Sequence, residues 1–441
     1  MSANRRLLLA GLLCFASFLL FYGLTSRGNL QTSDETAVFA TGISLATRGN
    51  LAIDELQWLD SRVNVGQKGR DGHFYTKYFP GNVFSIALAY KLTARANDQP
   101  YVGPYGGVME FAPSVTGARW AMKVNALWGA LGMTALLFLL RRYFDWRTAI
   151  LAVVLVGLCS DWWYQSRGLF SEVGAGAFLI ASLCFAVYGK PYGSGATLAL
   201  SMLFRPTNLL GLPIFGWAVW RKGKILHAVG SGVILAAGGL ILAAYNWARF
   251  GSVLNPGYGS GILSVPFFQG LHAMFLSPGR SFFVYSPILL LAIPGAWLFY
   301  KRDKVVTIIC LAIAAGYVVI IAPLAPLGWG LTWGARLLIP IVPLLTIFAA
   351  SVLERVWNRK WIACSVLLLA ALGLSVQVVA LLQSPTKVMI DEVASGKIQY
   401  EDTIYSVRNC WLALQIRSLS QWQSCELDSY TLRRLFTKCP N

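Results

Sequence analysis

Charge is what this chain has least of. Only 13% of its 441 residues are Asp, Glu, Lys or Arg, while 56% are hydrophobic, far outside the range of a soluble domain. Histidine is scarcer still: His73, His227 and His272 are scattered, and no His/Cys cluster with metal-ligand spacing is visible. No metal and no cofactor is therefore expected. There is no Walker A loop, no GxGxxG opening a helix after a strand, and no serine-nucleophile elbow, so nucleotide chemistry has no foothold. Internal repeats and low-complexity segments are absent too.

What is there is apolar sequence in runs long enough to cross a bilayer. Such runs fall at roughly 7–24, 119–140, 148–166, 171–189, 226–246, 282–300, 305–325, 336–353 and 361–382. Lys and Arg outnumber acids 37 to 19, but they cluster at the ends of these runs rather than on a face that would suit nucleic acid. Arg5/Arg6, Arg141/Arg142/Arg147, Lys190, Arg221/Lys222/Lys224, Lys301/Arg302/Lys304 and Arg355/Arg359/Lys360 all lie in short loops, where positive charge marks the cytoplasmic side. Lys190 and Arg221 can share that side only if 195–220 goes in and comes back, as two short helices broken near Arg205-Pro206. The reading is an all-α polytopic membrane protein with about eleven transmembrane helices, the N-terminus cytoplasmic and the C-terminal tail external, as in a plasma or inner membrane.

The first run has no small-x-small cleavage site before Arg27 and reads as an uncleaved anchor. Residues 1–382 form the membrane domain and 383–441 a small external tail, barely large enough to fold without a disulfide. Cys410, Cys425 and Cys439 lie in that tail, which permits one disulfide and leaves one thiol over; the other five cysteines lie in spans as small packing residues. The first external loop, 25–118, contains two stretches, Thr36 to Thr47 and Val83 to Tyr90, that read as interfacial helices with apolar faces on lipid or on the bundle. Between them, 51–78 is polar enough for strand or turn.

With this topology the long mixed-polarity loops all face outside, and the candidate chemistry lies there. Asp34 and Glu35, about ten residues past the first span, are the leading candidates. Ser33 and Asp34 also suit a helix N-cap, but a carboxylate at the membrane boundary can take a proton from an acceptor hydroxyl. Glu172, opening a span on the same side, is either a charge at a helix N-terminus or a second active-site carboxylate. Arg205, at the hairpin turn, is an ionisable group within the bilayer, where an unpaired charge costs roughly 2.5–3.5 kcal/mol, so it faces a cavity, an anion or a carboxylate. Lys77, near His73, either holds a phosphate at headgroup depth or snorkels. Arg280 and Arg336 are outer-face cations among glycines and aromatics, and Tyr258 and Trp333 are either belt residues or sugar-stacking surfaces.

These segments resemble the GT-C superfamily of membrane glycosyltransferases, in the branch of the protein O-mannosyltransferases and the lipid A aminoarabinose transferase. The stretches are SDETAVFATGISLATRGNL, DGHFYTKYFPGN, SRGLFSE, FRP at 204–206, ARFGSVLNPGYG, SPGRSFFVYSP and GWGLTWGARLLIP, and together they cover most of 30–340. The resemblance implies a polyprenyl-phosphate-linked sugar donor, transfer at the outer face to a lipid, glycan or protein acceptor, and inversion at the anomeric carbon. It implies Asp34 as general base, Glu172 as the second acidic position, and Lys77 with an arginine on the lipid phosphate. The chain departs from the family's common pattern at Phe39, often Tyr, at Glu172, often Asp, and in the two residues that separate Lys77 from Pro80. The alternative from another class is a transporter or lipid flippase, which predicts ionisable groups on several mid-bilayer spans and an internal repeat.

Overall fold

Asp145 and Asp303 start two apolar helices in the same way. Each carboxylate accepts the backbone N–H three residues on, from Thr148 and Val306, satisfying a donor that the first turn leaves unpaired. The two caps lie at one end of the bundle. Tyr143 donates its hydroxyl to Asp303 at 2.8 Å, and Arg302 pairs with Glu354 at 3.0 Å, so the loops near 143, 302 and 354 are drawn together.

The computed structural model describes residues 3–101, 103, 112–258, 265–324 and 332–437. Six helices among the described residues are long and apolar enough to cross a membrane: Arg5–Thr25, Val115–Leu140, Ile225–Phe250, Lys304–Leu324, Arg336–Leu353 and Lys360–Leu382. Shorter apolar helices, Trp146–Cys159, Glu172–Val187 and Pro287–Tyr300, lie among them. Regular strand among the described residues is confined to the antiparallel pair Gly66–Lys68 and Phe74–Thr76, with Gly66 opposite Thr76. The protein is thus the helical polytopic membrane protein expected.

The segment 191–220 runs out and back along one helix. Pro191–Phe204 leads to Arg205, which pairs with Glu172 at the start of Glu172–Val187. Leu212–Trp220 returns to Arg221, whose guanidinium donates to the carbonyls of Ala186 and Val187 at the other end of that helix. Pro206 follows the turn residue Arg205, which is extended (φ −149°, ψ 113°), as a residue before proline prefers to be.

Two stretches read as single spans are broken. Between 148 and 166 the helix stops at Cys159, and Ser160 caps a second short helix, Asp161–Ser166, by accepting the N–H of Trp162. Between 282 and 300, Ser286-Pro287 interrupts the run, because proline supplies no N–H to the preceding turn. Both breaks fall at the end of the bundle that holds Glu172 and Arg205.

The long loop after the first span is mostly packed structure among its described residues. Ser33–Thr47 is buried from Glu35 to Ser44 and lies against Pro80–Thr93; a Cβ on Gly42 would come within 2.5 Å of Ile86. Pro80–Thr93 buries Val83, Ile86 and Tyr90 and turns Phe84, Leu88 and Leu92 outward, as an interfacial helix should. The stretch 51–78 holds short helices as well as the strand pair. The tail docks on the bundle: Asp428 N–H donates to Leu381 O at 2.8 Å, and Gly279 N–H to Ile404 O at 3.0 Å. Cys425 is disulfide-bonded and Cys410 is a free, buried thiol; Cys439 lies outside the described residues.

Small residues let the helices approach closely. A Cβ on Gly295 would lie 2.0 Å from the carbonyl oxygen of Phe348, backbone that cannot turn aside. Gly295→Ala is expected to destabilise the fold by about 1–3 kcal/mol, the usual cost of overpacking; a thermal melt in detergent that matches wild type would refute this.

Candidate active site

Five charged side chains from separate segments, Asp34, Lys77, Glu172, Arg205 and Arg336, line one cavity of about 360 Å³. Asp34 stands in the first turn of Ser33–Thr47. The cap of that helix is Thr32, whose hydroxyl accepts the Glu35 N–H at 3.2 Å, so Asp34 is not consumed by capping. Glu172 is the first residue of its helix and Arg336 the first of the Arg336–Ile341 turn. Lys77 follows the strand Phe74–Thr76, and Arg205 is the hairpin turn.

Arg336 links the two carboxylates. Its Nη1 lies 3.1 Å from Asp34 Oδ2, and its Nε lies 3.5 Å from Glu172 Oε1. Arg205 pairs with the same Glu172 oxygen, Oε1. Both arginines and Glu172 are largely buried, whereas the Asp34 side chain is 26% exposed and opens to the cavity. Glu172 Oε2 and Arg205 Nε have no hydrogen-bond partner among the described residues, and buried polar atoms of this kind usually mark a place for a ligand or water.

Burial pushes the Asp34 carboxyl up, but the guanidinium of Arg336, the hydroxyl of Tyr78 and the ammonium of Lys77 together outweigh it, and the group sits below its ordinary value. Lys77 is lowered as well, but here burial prevails: it disfavours the charged ammonium despite the attraction of Asp34. A half-buried cation of this kind gains from an incoming anion. Lys77 Nζ is held by the Asn64 carbonyl and lies 5.5 Å from the ring of Tyr258, whose side chain also lines the cavity.

Six of the side chains singled out in the sequence therefore meet: Asp34, Lys77, Glu172, Arg205, Tyr258 and Arg336. Four lie elsewhere. Glu35 is buried against Arg27 at 3.1 Å. His73 is solvent-exposed and bonded to Asp54 at 2.7 Å. Arg280 is fully buried, donating to the Thr332 carbonyl and, at 3.0 Å, to the Tyr400 hydroxyl, with its guanidinium over Trp411. Trp333 is fully buried between Tyr164 and Tyr285, with no face open for stacking.

Residues not singled out hold the site in place. Arg249, buried at the end of Ile225–Phe250, donates to the carbonyls of Thr76 and Tyr78, the two neighbours of Lys77. Asn82 donates to the Leu169 carbonyl and so ties Pro80–Thr93 to the loop before Glu172. An arginine in the last turn of a span was the available signal for Arg249, but belt arginines give the same signal.

Neither a family model nor a curated protein matches the chain. Solved structures do. ArnT from Cupriavidus metallidurans bound to undecaprenyl phosphate superposes with a TM-score of 0.50 at 15% identity, over 95% of this chain and 75% of ArnT. ArnT in the apo state gives 0.53 at 16% identity, over 92% and 74%. The chain has the ArnT fold. The helical membrane architecture expected from the sequence is therefore shared with a solved structure.

Proposed function

We propose that the protein is an integral-membrane glycosyltransferase that moves a sugar from a polyprenyl-phosphate-linked donor to an acceptor hydroxyl at the outer face, with inversion and with Asp34 as general base. The observation that carries this reading is a charged cavity and an apolar groove walled by consecutive residues of the chain. The groove, about 340 Å³, is lined by side chains such as Phe84, Leu88, Trp128 and Phe204. Gly81 and Phe204 line the groove while their chain neighbours Asn82 and Arg205 line the cavity. A phosphate among the cations with its lipid tail in the groove satisfies both.

The charges suit the chemistry. Three cations against two carboxylates leave the cavity one net positive charge, matching a phosphodiester anion. Transfer of the sugar breaks the anomeric C–O bond and leaves a phosphate monoester with one further charge, which Lys77, Arg205 and Arg336 stabilise as it develops. Asp34, ionised at neutral pH, accepts the proton of the acceptor hydroxyl as that oxygen attacks the opposite face of the sugar. A phosphate anion beside Arg336 and Lys77 offsets their charge and so raises the basicity of Asp34 when the proton must move. An apolar groove whose wall adjoins that of the cavity in the chain also suits a donor carried by a membrane lipid rather than by a nucleotide.

Lys77→Met tests the phosphate role. A charge-assisted hydrogen bond contributes about 1.5–3 kcal/mol, so undecaprenyl phosphate should bind about 10- to 150-fold more weakly. Unchanged binding in nanodiscs would remove Lys77 from the donor site.

A further inference from the structure

The tail passes back over the bundle and seats Asp428 between two buried arginines. Its Oδ2 lies 2.8 Å from Arg167 Nη2 and 3.8 Å from Arg27 Nε. Arg27 in turn holds Glu35 at 3.1 Å, and Glu35 accepts the backbone N–H groups of Gln31 at 3.1 Å and Leu169 at 3.0 Å. Two cations and two carboxylates balance here, each nearly sealed from solvent. None of the four lines the cavity, yet each end of the network adjoins it in the chain. Glu35 follows Asp34, and Leu169, fastened by Glu35, opens the stretch to Glu172 that walls the cavity.

The tail is firmly seated at this point. Asp428 N–H donates to Leu381 O at 2.8 Å, Tyr430 N–H to Arg27 O at 3.1 Å and Ser429 Oγ to Leu24 O at 2.7 Å. Cys425, three residues earlier, is disulfide-bonded.

We propose that Asp428 is a positioning residue for sugar transfer, acting through Arg27 and Arg167 to fix Glu35 and with it the placement of Asp34 and the 169–172 wall. The inference rests on the glycosyltransferase reading above. Without the Asp428 carboxylate, Glu35 alone faces two buried guanidiniums, and an uncompensated buried charge forces its surroundings to move. The nearest elements able to give are the first turn of Ser33–Thr47 and the loop before Glu172. Lys77, Arg205 and Arg336 are carried by other segments, so the phosphate site survives while the base is displaced.

The test uses the full chain in nanodiscs, with a panel of synthetic polyprenyl-phosphate sugars as donors and undecaprenyl phosphate as the binding probe. Asp428→Asn should lower kcat at least tenfold while undecaprenyl phosphate affinity stays within threefold. Amide exchange should rise at 31–38 and 167–172, and Asp428→Glu should recover at least half of the lost rate. A kcat within twofold of wild type, or rate and lipid affinity falling together with the folded fraction, overturns the proposal. If Asp428→Asn does not fold, Arg167→Met with Asp428→Met removes the pair without stranding a charge; wild-type turnover in that variant overturns the proposal and a tenfold loss supports it. Failure of the wild-type chain to use any donor would instead overturn the glycosyltransferase reading.

Discussion

Asp34→Asn is expected to reduce sugar transfer from a polyprenyl-phosphate donor by about 100- to 10,000-fold, the range a positioned general base contributes, while undecaprenyl phosphate binds at least as tightly as to wild type. The two halves of this result come from one change. Asparagine keeps the shape of the side chain and can still meet Arg336, 3.1 Å from Asp34 Oδ2, but it cannot take a proton. It also removes one of two carboxylates facing three cations, so the cavity becomes more positive and more attractive to a phosphate. A residue that merely held Arg336 in place would behave differently: its neutralisation would loosen the arginine, and donor binding and turnover would fall together. Separate measurements of undecaprenyl phosphate affinity and single-turnover transfer in nanodiscs distinguish the outcomes. Transfer near the wild-type rate would end the base assignment.

How much of this was legible in the sequence depended on whether a residue's neighbours in space were also its neighbours in the chain. The hairpin at 191–220 was readable because cation placement is a local signal: Lys190 and Arg221 had to share a side, and Arg221 does reach the carbonyls beside that turn. Arg205 was readable as a charge within the bilayer, and Asp34, Lys77, Glu172 and Arg336 as charges at the outer boundary of a chain that has few to spare. Their convergence was not, since it depends on five segments folding together. Arg280 and Glu35 met the same criterion and lie elsewhere, because a buried ion can equally be consumed by a protein partner: Arg280 by Thr332 and Tyr400, Glu35 by Arg27. Trp333 looked like a stacking platform beside glycines, but its faces are taken by Tyr164 and Tyr285. Asp428 gave no local sign, being one acid in a polar tail whose two partners lie about 260 and 400 residues away in the chain.

Arg336→Gln is expected to cost both stability and the low acid limit of the reaction. Arg336 is nearly buried and touches both carboxylates, and removing one partner from a buried ion pair typically costs about 3–5 kcal/mol, because a charge is left without compensation. Glu172 retains Arg205, so the exposed-side carboxylate of Asp34 bears most of the change. In the wild type the Asp34 carboxyl lies below its ordinary value. A depressed carboxylate adds stability that is complete above the unfolded value, near pH 4, and is lost as pH falls through the lower folded value. Burial is the largest single influence on Asp34 and pushes it upward, and the Arg336 guanidinium is the largest influence against it, ahead of the Tyr78 hydroxyl and the Lys77 ammonium, so its loss is expected to turn the balance upward. A raised carboxyl has the opposite linkage, in which the cost appears as pH rises through the unfolded value. The variant should therefore be relatively more stable near pH 4.5 than near pH 7, where wild type shows no such preference from this group. The acid limb of kcat/KM, which reports the free enzyme's base, should move to higher pH in the same variant. Melting curves and rate profiles across pH 4 to 8 read both effects. An unmoved acid limb would mean that Arg336 does not set the ionisation of the base, and that the 3.1 Å contact is packing alone.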